Sequence, residues 1–260
     1  MFYGQRKKVE KENVNLGVYI SAKAMSVLLL FGLASKKCNR RAQPGYVHII
    51  QIFVQLSGLS MKVFSVQVLH KGPDGKAKLL KSTHDLSSFS FFQRSSVQEF
   101  MMFTGKLLVE RSALSSRSSV KENEYFCHIF VRQDGLSGIC ITDGEYQQRV
   151  AFTMLRRVLD DFASKVPSVQ WAQIKTEKDC TYTGLPELLM KWQNPREADA
   201  MTRVQEEVEE TKVVLHNTIQ SVLERGEKLD DLIAASEGLS NQSKLFYTQA
   251  RKMNKCCSWT

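Results

Sequence analysis

The chain reads MTRVQEEVEETKVVLHNTIQSVLERGEKLDDLIAASEGLSNQSKLFYTQARKM from residue 201 to residue 253. Steps of alternately three and four residues from Met201 reach sixteen positions, eleven of them apolar. A 3.5-residue period is typical of a coiled coil, here about 80 Å long at about 1.5 Å per residue. Since surface helices of globular domains usually run about 8 to 20 residues, the pattern favours one continuous helix that binds partner helices over an ordinary surface helix.

One charged residue interrupts this apolar seam. The seam positions that we assign to coiled-coil layers are Val204, Val208, Leu215, Val222, Leu229, Leu232, Leu239, Phe246 and Ala250. Arg225 stands in the same row. Because an unpaired guanidinium in an apolar seam costs several kcal/mol, Arg225 must find acceptors on the partner helices. Such a residue fixes the register of the bundle and the choice of partner.

Residues 61 to 192 carry the pattern of an α+β domain. A strand-like run after Met61 leads into Gly72-Pro73-Asp74-Gly75, which predicts a β-hairpin. Two further strand-like runs, at 125 to 132 and 136 to 142, are joined through Asp134-Gly135, a strong hairpin signal. Because the first of these runs is apolar at nearly every position, both faces of the sheet should be covered by helices.

Two amphipathic helices are expected to cover the sheet. Ser96-Val97-Gln98-Glu99 matches a capping box, and the helix that it opens should end near Arg111. The second helix should end before Pro167, with these residues on its apolar face: Val150, Ala151, Met154, Leu155, Val158, Leu159 and Phe162. Phe103 lies at the margin of the first helix's stripe. It either belongs to the domain core or leaves apolar surface exposed for a partner.

The run VLERGEKLDDL, at 222 to 232, resembles the central layers of an R-SNARE, with Arg225 as the zero-layer arginine. The resemblance implies a parallel four-helix bundle in which Arg225 meets three glutamines, one from each of three glutamine-SNARE helices. In that family the bundle draws two membranes together and drives vesicle fusion. The five donors of a guanidinium suit three amide acceptors.

The run SSFSFFQRSSVQEFM, at 87 to 101, and the order of elements over 61 to 192 resemble a longin domain. This resemblance implies a profilin-like fold: a five-stranded antiparallel sheet with one helix on one face and two on the other. In the resembled family the first helix borders a groove where the SNARE segment or a lipid folds back. We therefore expect a closed, autoinhibited state, with Phe103 at that groove.

The tail, 254 to 260, contains adjacent cysteines. Cys257 stands fourth from the end, as a CaaX box requires, and Cys256 could carry a second lipid. One lipid gives marginal membrane binding, whereas two give stable attachment. The resemblance to lipid-anchored longin R-SNAREs implies a farnesyl group on Cys257 and a palmitoyl or other lipid on Cys256. Ser258-Trp259-Thr260 departs from the usual aliphatic pattern, and two unmodified cysteines in a frayed tail are the alternative.

The net charge of +9 is concentrated at the start of the chain. Residues 1 to 60 hold nine Lys or Arg against two acidic residues, a net +7, and we interpret them as a disordered or non-native extension. The remaining +2 forms no basic stripe with interleaved aromatics, which argues against nucleic acid as a partner. No apolar run reaches about 18 residues, so a transmembrane helix is not predicted. Residues 193 to 200, with Asn194-Pro195, form the expected linker.

The sequence offers no catalytic constellation of nucleophile, base and acid, so we predict neither an enzyme nor a cofactor. The resemblance implies a reversibly lipid-anchored R-SNARE that moves between the cytosol and the cytoplasmic face of endoplasmic reticulum, Golgi, endosomal or vacuolar membranes. The alternative function is a prenylated longin-type adaptor or tether with a non-fusogenic coiled coil. Arg225 discriminates between the two, because only a fusion bundle needs it.

Overall fold

The computed structural model describes residues 61–194 and 212–257, the last six of them by their backbone alone. Residues 1 to 60, most of the predicted linker, and Val204 and Val208 lie outside this range. The described helices and strands are, in chain order, β1 (Val63–Lys71), β2 (Ala77–His84), α1 (Arg94–Arg111), β3 (Ser116–Glu122), β4 (Tyr125–Val131), β5 (Leu136–Asp143), α2 (Gln148–Lys165), α3 (Ser168–Trp171), α4 (Leu185–Trp192), β6 (Val213–His216), α5 (Leu229–Ala235) and α6 (Asn241–Cys257). Short 3₁₀ turns occur at Phe91–Gln93, Glu177–Asp179 and Ile219–Val222.

The sheet has the strand order β2-β1-β5-β4-β3-β6. Strands β1 to β5 pair in antiparallel fashion, as predicted. The hairpin turns occur at the predicted glycines, since Gly75 and Gly135 adopt φ values of 77° and 79°, a left-handed conformation that glycine tolerates best. The prediction of five strands was incomplete, because β6 adds a sixth strand that runs parallel to β3.

Helices cover both faces of the sheet, as the apolar run of β4 predicted. On one face, α2, Trp171 of α3 and α4 enclose a core in which all seven predicted α2 residues are at most 3% exposed. On the other face, α1 packs against side chains of β1, β3, β4 and β5. We call this second core, which includes Val97, Leu108 and Ile129, the α1 face.

The capping box predicted at Ser96 to Glu99 was wrong. Helix α1 begins earlier, at Arg94, and its N-cap residue Gln93 makes no side-chain capping hydrogen bond. The helix continues from the 3₁₀ turn at Phe91–Gln93, so Ser96 lies inside it and is buried. The Glu99 carboxylate instead accepts hydrogen bonds from residues about 140 positions further along the chain.

The continuous helix predicted for 201 to 253 was also wrong over the residues that the structure describes. We call residues 212–257 the fold-back segment, and they form β6, a 3₁₀ turn, α5 and α6. Gly226 adopts a φ of +95° in the turn before α5, and Gly238 lies between α5 and α6. The breaks let each short piece turn its own apolar side chains toward a core in the same chain.

Within residues 61–194 and 212–257, no helix combines the length and the hydropathy needed to cross a bilayer.

Candidate functional site

The fold-back segment packs its apolar side chains on the α1 face. Ile219 is 3% exposed and is part of that core. Five more residues of the segment are partly buried against it: Val222, Leu223, Leu229, Leu232 and Phe246. Phe103 of α1 is partly buried against the same core. The fold-back segment and Phe103 therefore share one apolar surface.

The layer positions predicted for a coiled coil are buried to different extents in this packing. Leu239 is 4% exposed, whereas Leu215 is 59% exposed and Ala250 is half-buried. Two of the most buried side chains, those of Ile219 and Ile233, stand off the predicted seam. A broken helix need not keep one seam along its whole length, so a 3.5-residue period could not identify these two positions.

Arg225 lies in the turn between the 3₁₀ turn at Ile219–Val222 and α5, where its side chain is exposed. It makes no hydrogen bond or ion pair with any residue in the described part of the chain. A guanidinium in water carries no desolvation penalty, so the fold-back leaves the charge of Arg225 solvated.

An ion pair joins the end of α1 to the fold-back segment next to Arg225. Arg111 Nη2 donates to Glu227 Oε1 at 2.6 Å and Arg111 Nε donates to Glu227 Oε2 at 3.2 Å, a bidentate geometry. The hydrogen bond from Arg111, with a second from the Glu224 amide, lowers the pKa of the Glu227 carboxyl. This ion pair connects the turn that carries Arg225 to the longin-like domain.

A second polar contact holds the start of α6. Glu99 Oε2 accepts from the Ser240 amide at 2.9 Å and from Ser243 Oγ at 2.7 Å. Burial pushes the pKa of Glu99 upward, but the hydrogen bonds from Ser240 and Ser243 together bring it below its ordinary value. Ser243 is 1% exposed, and its hydrogen bond with Glu99 is partly buried, whereas the bond from the Ser240 amide is exposed.

Aromatic stacking fixes α6 against α1. The rings of Phe100 and Tyr247 stack with centroids 5.3 Å apart. The Tyr247 hydroxyl donates to Asp230 Oδ1 at 3.1 Å, and Arg251 forms an ion pair with the same carboxylate. Asp230 belongs to α5, so these contacts tie α5, α6 and α1 together.

Strand pairing secures the other end of the fold-back segment. The register places Val213 opposite Arg117 and His216 opposite Val120. Just beyond the strand, the Ile219 amide donates to Glu122 Oε2 at 3.0 Å. Residues at both ends of the segment thus contact the domain.

Sequence reasoning missed Glu99, Arg111, Glu227, Ile219 and Ile233 as contact residues. Their ion pairs and burial join positions more than one hundred residues apart, which periodicity does not report. A local signal for the breaks was nevertheless present. Glycine costs about 1 kcal/mol relative to alanine inside a helix, and Gly226 and Gly238 stand at the two breaks that flank α5.

Comparison with known proteins agrees with this architecture. A family model described as Longin, a regulated-SNARE-like domain, matches residues 86–181, and the Synaptobrevin family model matches residues 200–260. The synaptobrevin homologue ykt6 of Schizosaccharomyces pombe is 48% identical over 200 residues, which cover 98% of that protein and 76% of this chain. The chain belongs to the ykt6 family of synaptobrevin homologues.

Other ykt6 relatives are similar over the same extent. The homologues of Eremothecium gossypii and Saccharomyces cerevisiae are 44% and 42% identical over 198 residues, which cover 98% of each and 76% of this chain. Membership of the ykt6 family gives the chain an R-SNARE role in vesicle trafficking, with SNARE proteins as partners. The ykt6 family is not a family of enzymes, which confirms that prediction.

Proposed function

We propose that this R-SNARE alternates between a closed state, in which the fold-back segment occupies the α1 face, and an open state that supplies one helix and Arg225 to a four-helix bundle with three glutamine-SNARE helices. The observation that carries the proposal is the use of the same side chains for both purposes. Val222, Leu229 and Leu232 are layer positions of the coiled coil, and they pack on the α1 face. One side chain cannot occupy both environments at once.

This competition makes the longin domain an inhibitor of assembly. Partner helices bind only the open state, so the free energy of the closed contacts must be overcome before zippering is complete. The Arg111–Glu227 ion pair and the contact of Glu99 with Ser243 are specific to the closed state because they join the segment to α1. Arg225 is already exposed and loses no buried contact when the segment leaves.

We assign lipid attachment to Cys257 and Cys256, whose backbone continues α6 to Cys257. Two lipids would hold the protein at the cytoplasmic face of endomembranes for fusion there, and one would let it exchange with the cytosol. Mass spectrometry of the C-terminal peptide from cells tests this assignment. An unmodified Cys257 would remove the anchor from the proposal.

The closed state is tested by substituting Phe103. Phe103→Glu places a carboxylate against the α1 face and removes a partly buried aromatic contact. Full burial would contribute about 1.5 to 3 kcal/mol, so we expect a shift of up to roughly tenfold in the equilibrium. We expect the full-length variant to form a detergent-resistant complex with three glutamine-SNARE helices correspondingly faster. Phe91→Glu is the matched control, because Phe91 is 78% exposed. Equal rates for Phe103→Glu and the unchanged chain would refute inhibition at this residue.

The bundle itself is tested at Arg225. Arg225→Ala removes the donors that three glutamines would share, so we expect a complex that dissociates at lower temperature. Replacement of all three partner glutamines by apolar residues should reverse the difference, because Arg225 would then be unpaired in an apolar layer. Failure of the full chain, and also of Phe103→Glu, to form any detergent-resistant complex would instead identify an adaptor with a non-fusogenic coiled coil.

A further inference from the structure

A cavity of about 640 Å³ lies at the free edge of β2, and lysines from three parts of the domain surround it. Lys76 comes from the turn before β2, Lys78 from the start of β2, Lys106 from α1, and Lys175 from the stretch after α3. Strand β2 ends the sheet on this side. The volume is within the range of small-molecule sites, about 300 to 1,000 Å³.

Hydrogen bonds from Thr176, and less strongly the charge of Lys175, lower the pKa of the Asp179 carboxyl, so a carboxylate lies near one of the four ammonium groups. Lys78 Nζ donates to the Ala172 carbonyl at 2.8 Å, but Lys76, Lys106 and Lys175 make no side-chain hydrogen bond or ion pair with the described residues. All three are exposed and line the same cavity. Unpaired like charges in one cavity repel each other, and a bound anion would remove that repulsion.

Carboxylates near the lysines are engaged with backbone amides instead. Asp74 Oδ1 accepts from the Lys76 amide at 3.1 Å, and Glu110 Oε1 accepts from the Ala77 amide at 3.1 Å. The lysine charge also affects His70, one of the residues that line the cavity. Burial, and after it the charge of Lys78, lowers the pKa of His70, which keeps that ring neutral near pH 7.

We propose that this cavity binds a multiply phosphorylated polyol, either a free inositol phosphate or the headgroup of an inositol lipid. Lysine is a point-charge ligand for phosphate, and the cavity lining includes no arginine for bidentate binding of a carboxylate. No Phe, Tyr or Trp among the lining residues offers a platform for a nucleotide base. Glu177 also lines the cavity, half-buried, and can accept hydrogen bonds from polyol hydroxyls.

Lysines on an edge strand also deter edge-to-edge pairing of sheets. That role accounts for Lys78, at the start of β2, and for Lys76, directly before it. It does not account for Lys106 on a helix or for Lys175 beyond α3. The decisive variant is therefore Lys106→Glu, with Lys191→Glu as the control, since both lysines are exposed helical residues and the charge change is identical.

The test titrates full-length protein with inositol trisphosphate by calorimetry and measures flotation with phosphatidylcholine vesicles that contain an inositol phospholipid. Vesicles of equal charge made with phosphatidylserine report non-specific attraction. We expect saturable binding that weakens about tenfold or more in Lys106→Glu, as loss of a charge-assisted contact predicts, and that is unchanged in Lys191→Glu. Binding to the soluble probe alone assigns a free inositol phosphate, and binding to both assigns the lipid headgroup.

The proposal would be overturned if neither probe showed saturable binding, or if Lys106→Glu and Lys191→Glu weakened binding equally. Neither result bears on the closed state, because no residue of the fold-back segment lines this cavity. Phe103→Glu should bind inositol trisphosphate as the unchanged chain does.

Discussion

The longin domain and the fold-back segment are both built from amphipathic elements, yet sequence periodicity described only the first correctly. The seven apolar positions predicted for α2 are all buried in its core. The apolar row of the segment, in contrast, is divided between β6, a 3₁₀ turn, α5 and α6. The apolar face of α2 packs in one place, the core that it forms with the sheet, Trp171 and α4. The residues of the segment have two possible partners, the α1 face and other SNARE helices, and tertiary packing decides between them.

The largest effect is expected when a core side chain of the longin domain is truncated, and the same change in the fold-back segment gives the comparison. Leu159→Ala, at a residue with 0% exposure, should reduce the free energy of unfolding of the domain by about 2 to 5 kcal/mol, because it leaves a cavity under α2. Leu239→Ala should instead increase amide exchange in the fold-back segment and leave unfolding of the domain nearly unchanged. Urea denaturation and hydrogen exchange measure the two quantities. If Leu239→Ala weakened the domain as much as Leu159→Ala, the segment would be part of the core and not a detachable element.

Acid should weaken the longin domain before it weakens the closed contacts. Burial lowers the pKa of His128 to about 4, below its ordinary 6.5, and the ring contacts Ser119 Oγ at 2.8 Å and Thr142 Oγ1 at 3.3 Å. Between pH 6.5 and 4, His128 is largely protonated in the unfolded chain and largely neutral in the folded chain. Stability is therefore complete above pH 6.5 and falls with pH toward 4, by up to about 3 kcal/mol.

The carboxylates of the closed state behave differently. Their contribution is complete above the ordinary glutamate pKa of 4.5, because the pKa values of Glu99 and Glu227 are lowered, and it disappears only below that value. Urea denaturation at several pH values measures the domain, with His128→Gln as the control that should reduce the slope above pH 5, while His84, whose pKa burial also lowers to about 4, supplies the remainder. A wild-type stability that stays constant from pH 7 to 5 would contradict a buried neutral His128.

Gly226→Ala should favour the open state of the fold-back segment over the closed state, through two effects that act in the same direction. A φ of +95° strains alanine in the closed state, and alanine favours a continuous helix by about 1 kcal/mol over glycine. We expect assembly with partner helices to accelerate by roughly tenfold or more, for a total of about 2 kcal/mol. In the control Gly238→Ala no positive φ is lost, so only the smaller helix effect applies. Equal acceleration by both substitutions would mean that strain at Gly226 does not matter.

The smallest effect concerns the Arg111–Glu227 ion pair. Arg111→Glu should loosen the turn at Gly226 and raise its amide exchange only slightly, as expected for a solvent-accessible ion pair. The double variant Arg111→Glu/Glu227→Arg should restore protection. Hydrogen exchange at low and high salt measures the effect, which should diminish as salt rises. A double variant as loose as the single one would show that the charges themselves are not the contact.

For this protein, the sequence alone determined the α+β class, the hairpin glycines and the two-sided cover of the sheet, and it predicted the R-SNARE motif around Arg225. These features depend on local periodicity, turn chemistry and a short motif, so the residues that specify them are near one another in the chain. The tertiary structure alone decided that Glu99 binds Ser240 and Ser243 instead of capping α1, that Arg111 pairs with Glu227, and that β6 joins the sheet. Each of these contacts joins residues about one hundred or more positions apart, where the free energy of burial in one particular packing, and not local preference, selects the conformation.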